Sequence, residues 1–183
     1  MYSSSVNTSN PVVEQFNLNT QNLGNLKRDI SPLSAAALSL AQTARDMKAN
    51  VLATTGNSKT LVFASQGGSM QSKQLIKLLD GVKEALKSFA SKAKSLDQEV
   101  DFFSGHQAGL FRGNVAAIPQ ADKVNWCTGQ VEKILKRASK LGAEQGPKVS
   151  AAMTNLRIAA QYTRQNIQSD LDTKVVALNR NLH

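Results

Sequence analysis

Apolar residues recur at alternating steps of four and three between residues 75 and 103, and lysines fill many of the positions between them. At 100° per residue, these apolar side chains fall within a sector of about 120° on one face of a helix. The opposite face carries the lysines together with Asp80 and Glu84, so it is mixed in charge and suited to solvent. The pattern predicts a long helix that buries one seam in an antiparallel bundle or coiled coil, and it disfavours a membrane-surface helix. The seam positions are Leu75, Leu79, Val82, Leu86, Phe89, Ala93, Leu96, Val100 and Phe103.

Three further segments predict helices. One begins at Ser31 and Pro32, which suit the N-cap and the first helical position, and ends at "TTGNSK". Another is opened by Pro119 and ends at "LGAEQGP", and a last one starts at Pro147 and runs nearly to the C-terminus. Between them, "TLVFAS" fits either a short strand or a buried helical turn, and the glycine-rich "SGHQAGLFRGN" predicts a connection.

The N-terminal segment differs from the rest in composition. Residues 1–26 hold one charged residue, Glu14, among many Ser, Asn, Thr and Gln residues. We therefore expect a flexible polar arm over residues 1–28, followed by a helical bundle domain over residues 29–183. Three interpretations of the arm stay open: a disordered terminus without a role, an arm that orders on a neighbouring subunit, and an uncleaved export signal for a specialised secretion system. Val12, Val13 and Phe16 are the candidate interaction residues within it.

Together these segments predict an all-α fold, an elongated bundle of about four helices with a flexible polar N-terminal arm. A helix of about 35 residues spans roughly 52 Å. A compact chain of this length has a diameter of only about 40 Å. We therefore expect a rod-shaped molecule, and such subunits are common in assemblies.

Composition removes several classes of site. The chain of 183 residues has one cysteine, Cys127, and two histidines, His106 and His183, so an internal disulfide is excluded and little material remains for zinc. No apolar run approaches the roughly 20 residues of a membrane span, and the N-terminus lacks the pattern of a secretory signal. We expect no metal, no cofactor and no membrane span. The location is left open between the cytoplasm, an assembled particle and export by a specialised system.

Positive charge exceeds negative charge by nine, and the excess lies toward the C-terminus without forming a basic tail. The best candidate for binding anions or nucleic acid is "EKILKRASK", in which four basic residues share one sector of the predicted third helix. Two arginines on the predicted last helix extend this surface. The candidate residues are Lys133, Lys136, Arg137, Lys140, Arg157 and Arg164.

The remaining candidates for chemistry are weak. Asp97, Glu99 and Asp101 are two residues apart, so on a helix they point away from one another and do not share a site. His106 lies in no recognisable nucleophile motif, and we expect no enzymatic activity. Trp126 flanks the seam of the third helix, where two interpretations stay open: packing at the edge of the seam within the chain, or a contact between subunits.

The sequence therefore favours a non-enzymatic structural or assembly subunit, of the virion or secretion-apparatus type, that acts through helix packing and oligomerisation. Its expected partners are further copies of itself or other protein subunits. An alternative is a helical protein that binds nucleic acid through the basic face of the third helix. A third hypothesis is a secreted effector with an uncleaved N-terminal export signal.

Overall fold

The computed structural model describes residues 10–56, 58, 60–110, 120–167 and 171–181. Within these residues the chain forms four helices and one β-hairpin, which confirms the expected all-α bundle. The helices are α1 (Pro11–Thr55), α2 (Ser72–Gly109), α3 (Ala121–Thr163) and α4 (Leu171–Asn181). The hairpin, β1 (Val62–Ser65) and β2 (Gly68–Gln71), lies between α1 and α2. The segment "TLVFAS" thus forms a strand.

Helices α1 and α2 run antiparallel and stay in register over most of their length. Lys27 on α1 pairs with Asp101 on α2 at 2.9 Å, and Lys48 pairs with Asp80 at 2.9 Å. As the residue number on α1 rises from 27 to 48, the partner on α2 falls by the same number of positions. Since α1 is 45 residues long, it extends about 67 Å, and the bundle is elongated.

Helix α3 returns beside both of them, and α4 folds back on α3. Arg137 on α3 pairs with Glu99 on α2, and Asn19 on α1 bonds to Thr128 on α3. The N-terminus of α1, the C-terminus of α2 and the N-terminus of α3 therefore meet at one end of the bundle. At the other end lie the hairpin and the C-termini of α1 and α3.

The predicted seam is the core. Of its nine positions on α2, eight are buried, and Phe103 is partly buried against the same cluster. The predicted seam of α3 is also buried from Val124 to Ala138. Removing one such side chain, for example Phe89→Ala, is the kind of change that costs about 3–5 kcal/mol.

The flexible arm expected over residues 1–28 is corrected for residues 11–28, which are the first part of α1. The helix starts at Pro11 because the Asn10 side chain accepts hydrogen bonds from the N–H groups of Val12 and Val13, at 2.9 and 3.3 Å. Leu23, Leu26 and Ile30 are buried and continue the seam of α1, so no boundary exists at residue 28. Residues 1–9 of the expected arm lie outside the described residues.

Two predicted helix boundaries were wrong for the same reason. The start at Ser31–Pro32 lies inside α1, and the break at Gly146–Pro147 lies inside α3. Both prolines are exposed while the buried seam continues past them, so packing outweighs the lost backbone hydrogen bond. The last predicted helix is accordingly divided between the end of α3 and α4.

Candidate functional site

The four basic residues of the third helix do project from the exposed or half-exposed side of α3, but two of them have carboxylate partners. Arg137 forms an ion pair with Glu99 of α2, and Lys140 lies 3.8 Å from Glu144. A groove of about 280 Å³ beside them is lined by Lys92, Arg137 and Lys140 together with Glu99 and Glu144. Its mixed charge makes it a poor binding site for phosphate.

Arg157 and Arg164 do not extend that surface. From Lys140 to Arg157 the helix rises about 26 Å, so the six candidates form two separate groups. Arg157 contacts Asp172 of α4, with Nη2 3.4 Å from Oδ1. Arg164 is the C-cap of α3 and has a left-handed backbone with φ of 56°. Both arginines line a groove of about 450 Å³ with Gln161 and Gln165. Nucleic-acid binding by the six residues stays a prediction.

Val12, Val13 and Phe16 lie in the first turns of α1, where each is partly buried. The carbonyl oxygen of Phe16 accepts a hydrogen bond of 2.7 Å from the Gln107 amide of α2. These three residues are therefore part of a helix of the bundle, and their role in interactions with other subunits stays a prediction.

A set of polar side chains joins the three helices at this end of the bundle. Asn19 is buried and donates to the Thr128 hydroxyl at 3.0 Å, and that hydroxyl donates to the Val124 carbonyl at 2.9 Å. Gln107, also buried, reaches the backbone of α1. Because hydrogen bonds require specific partners, this polar set fixes the axial register of α1, α2 and α3 relative to one another.

Four aromatic rings cluster next to the polar set, and we call them the aromatic patch: Phe102, Phe103, His106 and Trp126. The rings of Phe102 and Phe103 meet edge to face at 4.9 Å, and Phe103 lies 5.9 Å from Trp126. His106 packs edge to face on Trp126 at 5.2 Å. Residue exposure is 64% for Phe102 and 49% for Trp126. The patch therefore presents large apolar rings to solvent.

A groove of about 630 Å³ adjoins the patch between the end of α2 and the start of α3. The described residues that line it are Gly105, His106, Gly109, Leu110, Lys123 and Trp126. A methyl group added at Gly105 or Gly109 would meet no described atom within 4 Å, so their backbone forms an open floor. This groove can hold an apolar side chain of a partner against the face of Trp126.

Sequence reasoning identified Trp126 but missed the rest of this surface. Phe102 lies one position off the seam, and residues 104–109 were expected to form a connection rather than the end of α2. The signal that was present is "FFSGHQAGL", in which Gly105 and Gly109 are four apart and so share one helix face.

The acidic residues near the end of α2 have structural partners. Asp97 and Asp101 are four residues apart on one helix face and both pair with Lys27, at 3.0 and 2.9 Å, so the expectation that the three carboxylates do not share a site was wrong for these two. Glu99 pairs with Arg137. Hydrogen bonds to Asp101 and then to Asp97 raise the pKa of Lys27 above its ordinary value. Burial raises the pKa of the Cys127 thiol, which lies in the core.

Among the residues that the structure describes, no group of three or more His, Cys, Asp or Glu residues is arranged to hold a metal ion. None of the helices in the described ranges combines the length and the apolarity that a membrane span requires. Comparison of the chain with protein-family models, with curated proteins and with solved structures found no match.

Proposed function

We propose that this chain is a non-enzymatic assembly subunit that associates with further copies of itself through the aromatic patch. The observation that carries the proposal is the exposure of Phe102 and Trp126 beside an open groove, at one end of a long helical bundle. Aromatic side chains are enriched at protein interfaces because they bury a large area at a low cost in side-chain entropy.

The surroundings of the patch suit a protein interface. Asp101 and Lys123 are exposed next to the rings, which provides a polar rim around an apolar centre. The polar set holds the helix ends that carry the rings, so little ordering remains to be done on binding. Isolated exposed apolar residues are ordinary on a protein surface, whereas a contiguous ring cluster is not.

Sedimentation velocity over a range of protein concentrations tests the proposal. We expect the parent chain to form a discrete oligomer, and we expect Phe102→Ser combined with Trp126→Ser to weaken self-association at least tenfold. Leu38→Ser is the matched control, because Leu38 is 48% exposed on the middle of α1 and lies outside the patch. The control should self-associate like the parent.

Circular dichroism establishes that the double variant is folded, which is expected because neither side chain belongs to the buried core, Phe102 being 64% and Trp126 49% exposed. A parent chain that remains monomeric up to millimolar concentration contradicts the proposal. So does an oligomer that the double variant forms as readily as the parent.

A further inference from the structure

The β-hairpin lies at the opposite end of the bundle and has an outer edge whose hydrogen-bonding groups can be assigned. The register pairs Val62 with Gln71, Phe63 with Met70 and Ala64 with Ser69. Just outside the ladder, the Ser72 N–H donates to the Leu61 carbonyl at 2.8 Å, so residues 61 and 72 form a hydrogen-bonded pair. Hydrogen-bonded and non-hydrogen-bonded pairs alternate in an antiparallel ladder. Val62 and Ala64 therefore direct their N–H and C=O groups away from β2.

A groove of about 310 Å³ runs along this outer edge. It is touched by three consecutive strand residues, 62–64, although neighbouring residues of a strand face opposite sides. A groove that meets both faces follows the edge of the strand. Its far wall is formed by the last turns of two helices, at Asn50 and Thr54 of α1 and at Tyr162–Arg164 of α3.

Two of the features by which proteins block strand pairing, charged residues and proline, are missing from the hairpin, although β1 is itself short, at four residues. Residues 60–72 contain no charged residue and no proline, although charges and prolines are the common guards of exposed edges. Leu61 and Val62 are 43% and 57% exposed. A hairpin of two strands gains stability from a third, which makes an unguarded edge beside a groove suited to strand addition.

We propose that β1 is a docking strand, which binds an extended segment of a different protein as a third β-strand with a carboxylate of that segment facing Arg164. Arg164 is the one charged residue in the lining of the groove, as far as the described residues show, and its exposed guanidinium is free of steric cover toward a carboxylate bound there. Main-chain hydrogen bonds to Val62 and Ala64 supply the affinity in this mode of recognition, and the charge supplies selectivity.

Charge complementarity also argues against the hairpin of a second copy as the occupant. In a second copy of this chain, the hairpin carries no carboxylate, since no Asp or Glu occurs between Asp46 and Asp80. Pairing of two such hairpins would leave both copies of Arg164 unmatched. This surface is separate from the aromatic patch, so the inference goes beyond the proposed function and does not depend on it.

A library of heptapeptides displayed on phage is the probe. We expect the parent protein to enrich peptides with alternating β-branched residues and at least one Asp or Glu. Ala64→Pro removes the outward N–H of residue 64 without removing a hydrogen bond of the β1–β2 ladder. It should weaken the binding of an enriched peptide at least tenfold. Ser69→Pro is the matched control, because Ser69 is the partner of Ala64 and its N–H faces the other edge of the hairpin.

Two further measurements keep the test decisive if a proline variant is destabilised. An enriched peptide N-methylated at alternate residues should lose binding to the parent, since it cannot complete the ladder. Arg164→Asn keeps a residue type that tolerates the left-handed backbone. It should weaken the binding of acidic peptides at least fivefold and leave the binding of their Asn or Gln analogues unchanged.

The proposal is overturned if no peptide is enriched, or if N-methylation leaves binding intact. Enrichment of peptides without acidic residues overturns the role of Arg164. If the parent dimerises and Ala64→Pro abolishes the dimer, the occupant is a second copy, and the proposal of a different protein fails.

Discussion

Gly105 is a residue whose presence costs the helix stability without any steric need in the described structure. It lies within α2, its backbone is helical, and an added methyl group would meet open space. We expect Gly105→Ala to raise the free energy of unfolding by about 0.5–1 kcal/mol, because alanine loses less backbone entropy in a helix. Urea denaturation measures this change.

The same substitution places a methyl group on the floor of the groove beside the aromatic patch, so it should also weaken self-association. Gly81→Ala is the matched control, since Gly81 lies on α2 with equally open space but far from the patch. The control should gain similar stability and leave association unchanged. Equal association by the two variants would show that the groove is not part of the interface.

Lys27 gives the stability of the fold a pH dependence whose direction follows from its two carboxylate partners. Its pKa is raised by hydrogen bonds to Asp101 and Asp97, so its protonated form is favoured in the folded state. A raised lysine pKa adds stability that is complete below the ordinary value of 10.5 and is lost as pH rises through the folded value. The side chain is 37% exposed, so the contribution is below about 1 kcal/mol.

We therefore expect Lys27→Met to be less stable than the parent at pH 8 and 9, with the difference shrinking above pH 10.5. Urea titrations at several pH values measure the difference. Lys133→Met removes one positive charge without removing an ion pair among the described residues, and it serves as the control. A difference that grows with rising pH would contradict the assigned direction.

At the scale of elements, the helices show which signals in the sequence outweigh others. The seam of α2 was predicted almost residue by residue because its spacing of three and four admits one helical face. The boundaries at Pro32 and Pro147 were wrong because local stop signals were given more weight than the apolar spacing, which continues through Leu23, Leu26 and Ile30 on one helix. The residues next to Pro32 and Pro147 do not show that a neighbouring helix packs past these positions and keeps each helix continuous.

The candidate site was harder to predict for the same reason. Glu99 neutralises Arg137 from another helix, and the rings of the patch come from two helices, so each grouping depends on how the helices pair. Trp126 could be singled out because it flanks a seam. Phe102 could not, because a single exposed aromatic residue has no signature until its neighbours are known.

Pro147 tests how far helix packing compensates for the backbone hydrogen bond that a proline removes. Its ring faces solvent, and the preceding residue, Gly146, lacks the Cβ that would clash with it. We expect Pro147→Ala to raise the free energy of unfolding by about 1–3 kcal/mol, because α3 regains one hydrogen bond and loses the ring clash. Thermal and urea unfolding measure the gain.

Ala151→Gly, at an exposed position one turn further along α3, is the converse control and should lower stability by about 1 kcal/mol. If Pro147→Ala proves neutral or destabilising while the control behaves as expected, the proline imposes no net cost on the stability of α3.

For the whole molecule, ion pairs and buried polar groups act together to fix one arrangement of long rods. Apolar seams with a period of three and four can slide by one turn at little cost, since Leu, Ala and Val recur along them. Lys27 and Lys48 pair α1 with α2 outside the core. Two buried side chains add to this: Gln107 bonds α2 to α1, and Asn19 bonds α1 to α3. The buried groups carry the larger penalty for misalignment, because a polar group without a partner in the interior costs about 1–3 kcal/mol.

Gln107→Ala measures that contribution, since it removes the hydrogen bonds that tie the end of α2 to Phe16 and Thr20 of α1. We expect a loss of about 1–3 kcal/mol in the free energy of unfolding. Because both bonds hold the first turns of α1, amide hydrogen exchange there should accelerate more than in the middle of the helix. Gln42→Ala is the control, because the exposed Gln42 side chain donates to Asp46 on its own helix and, within the described ranges, to no other helix. A uniform increase in exchange along α1 would mean that Gln107 supports the bundle as a whole and does not fasten this end.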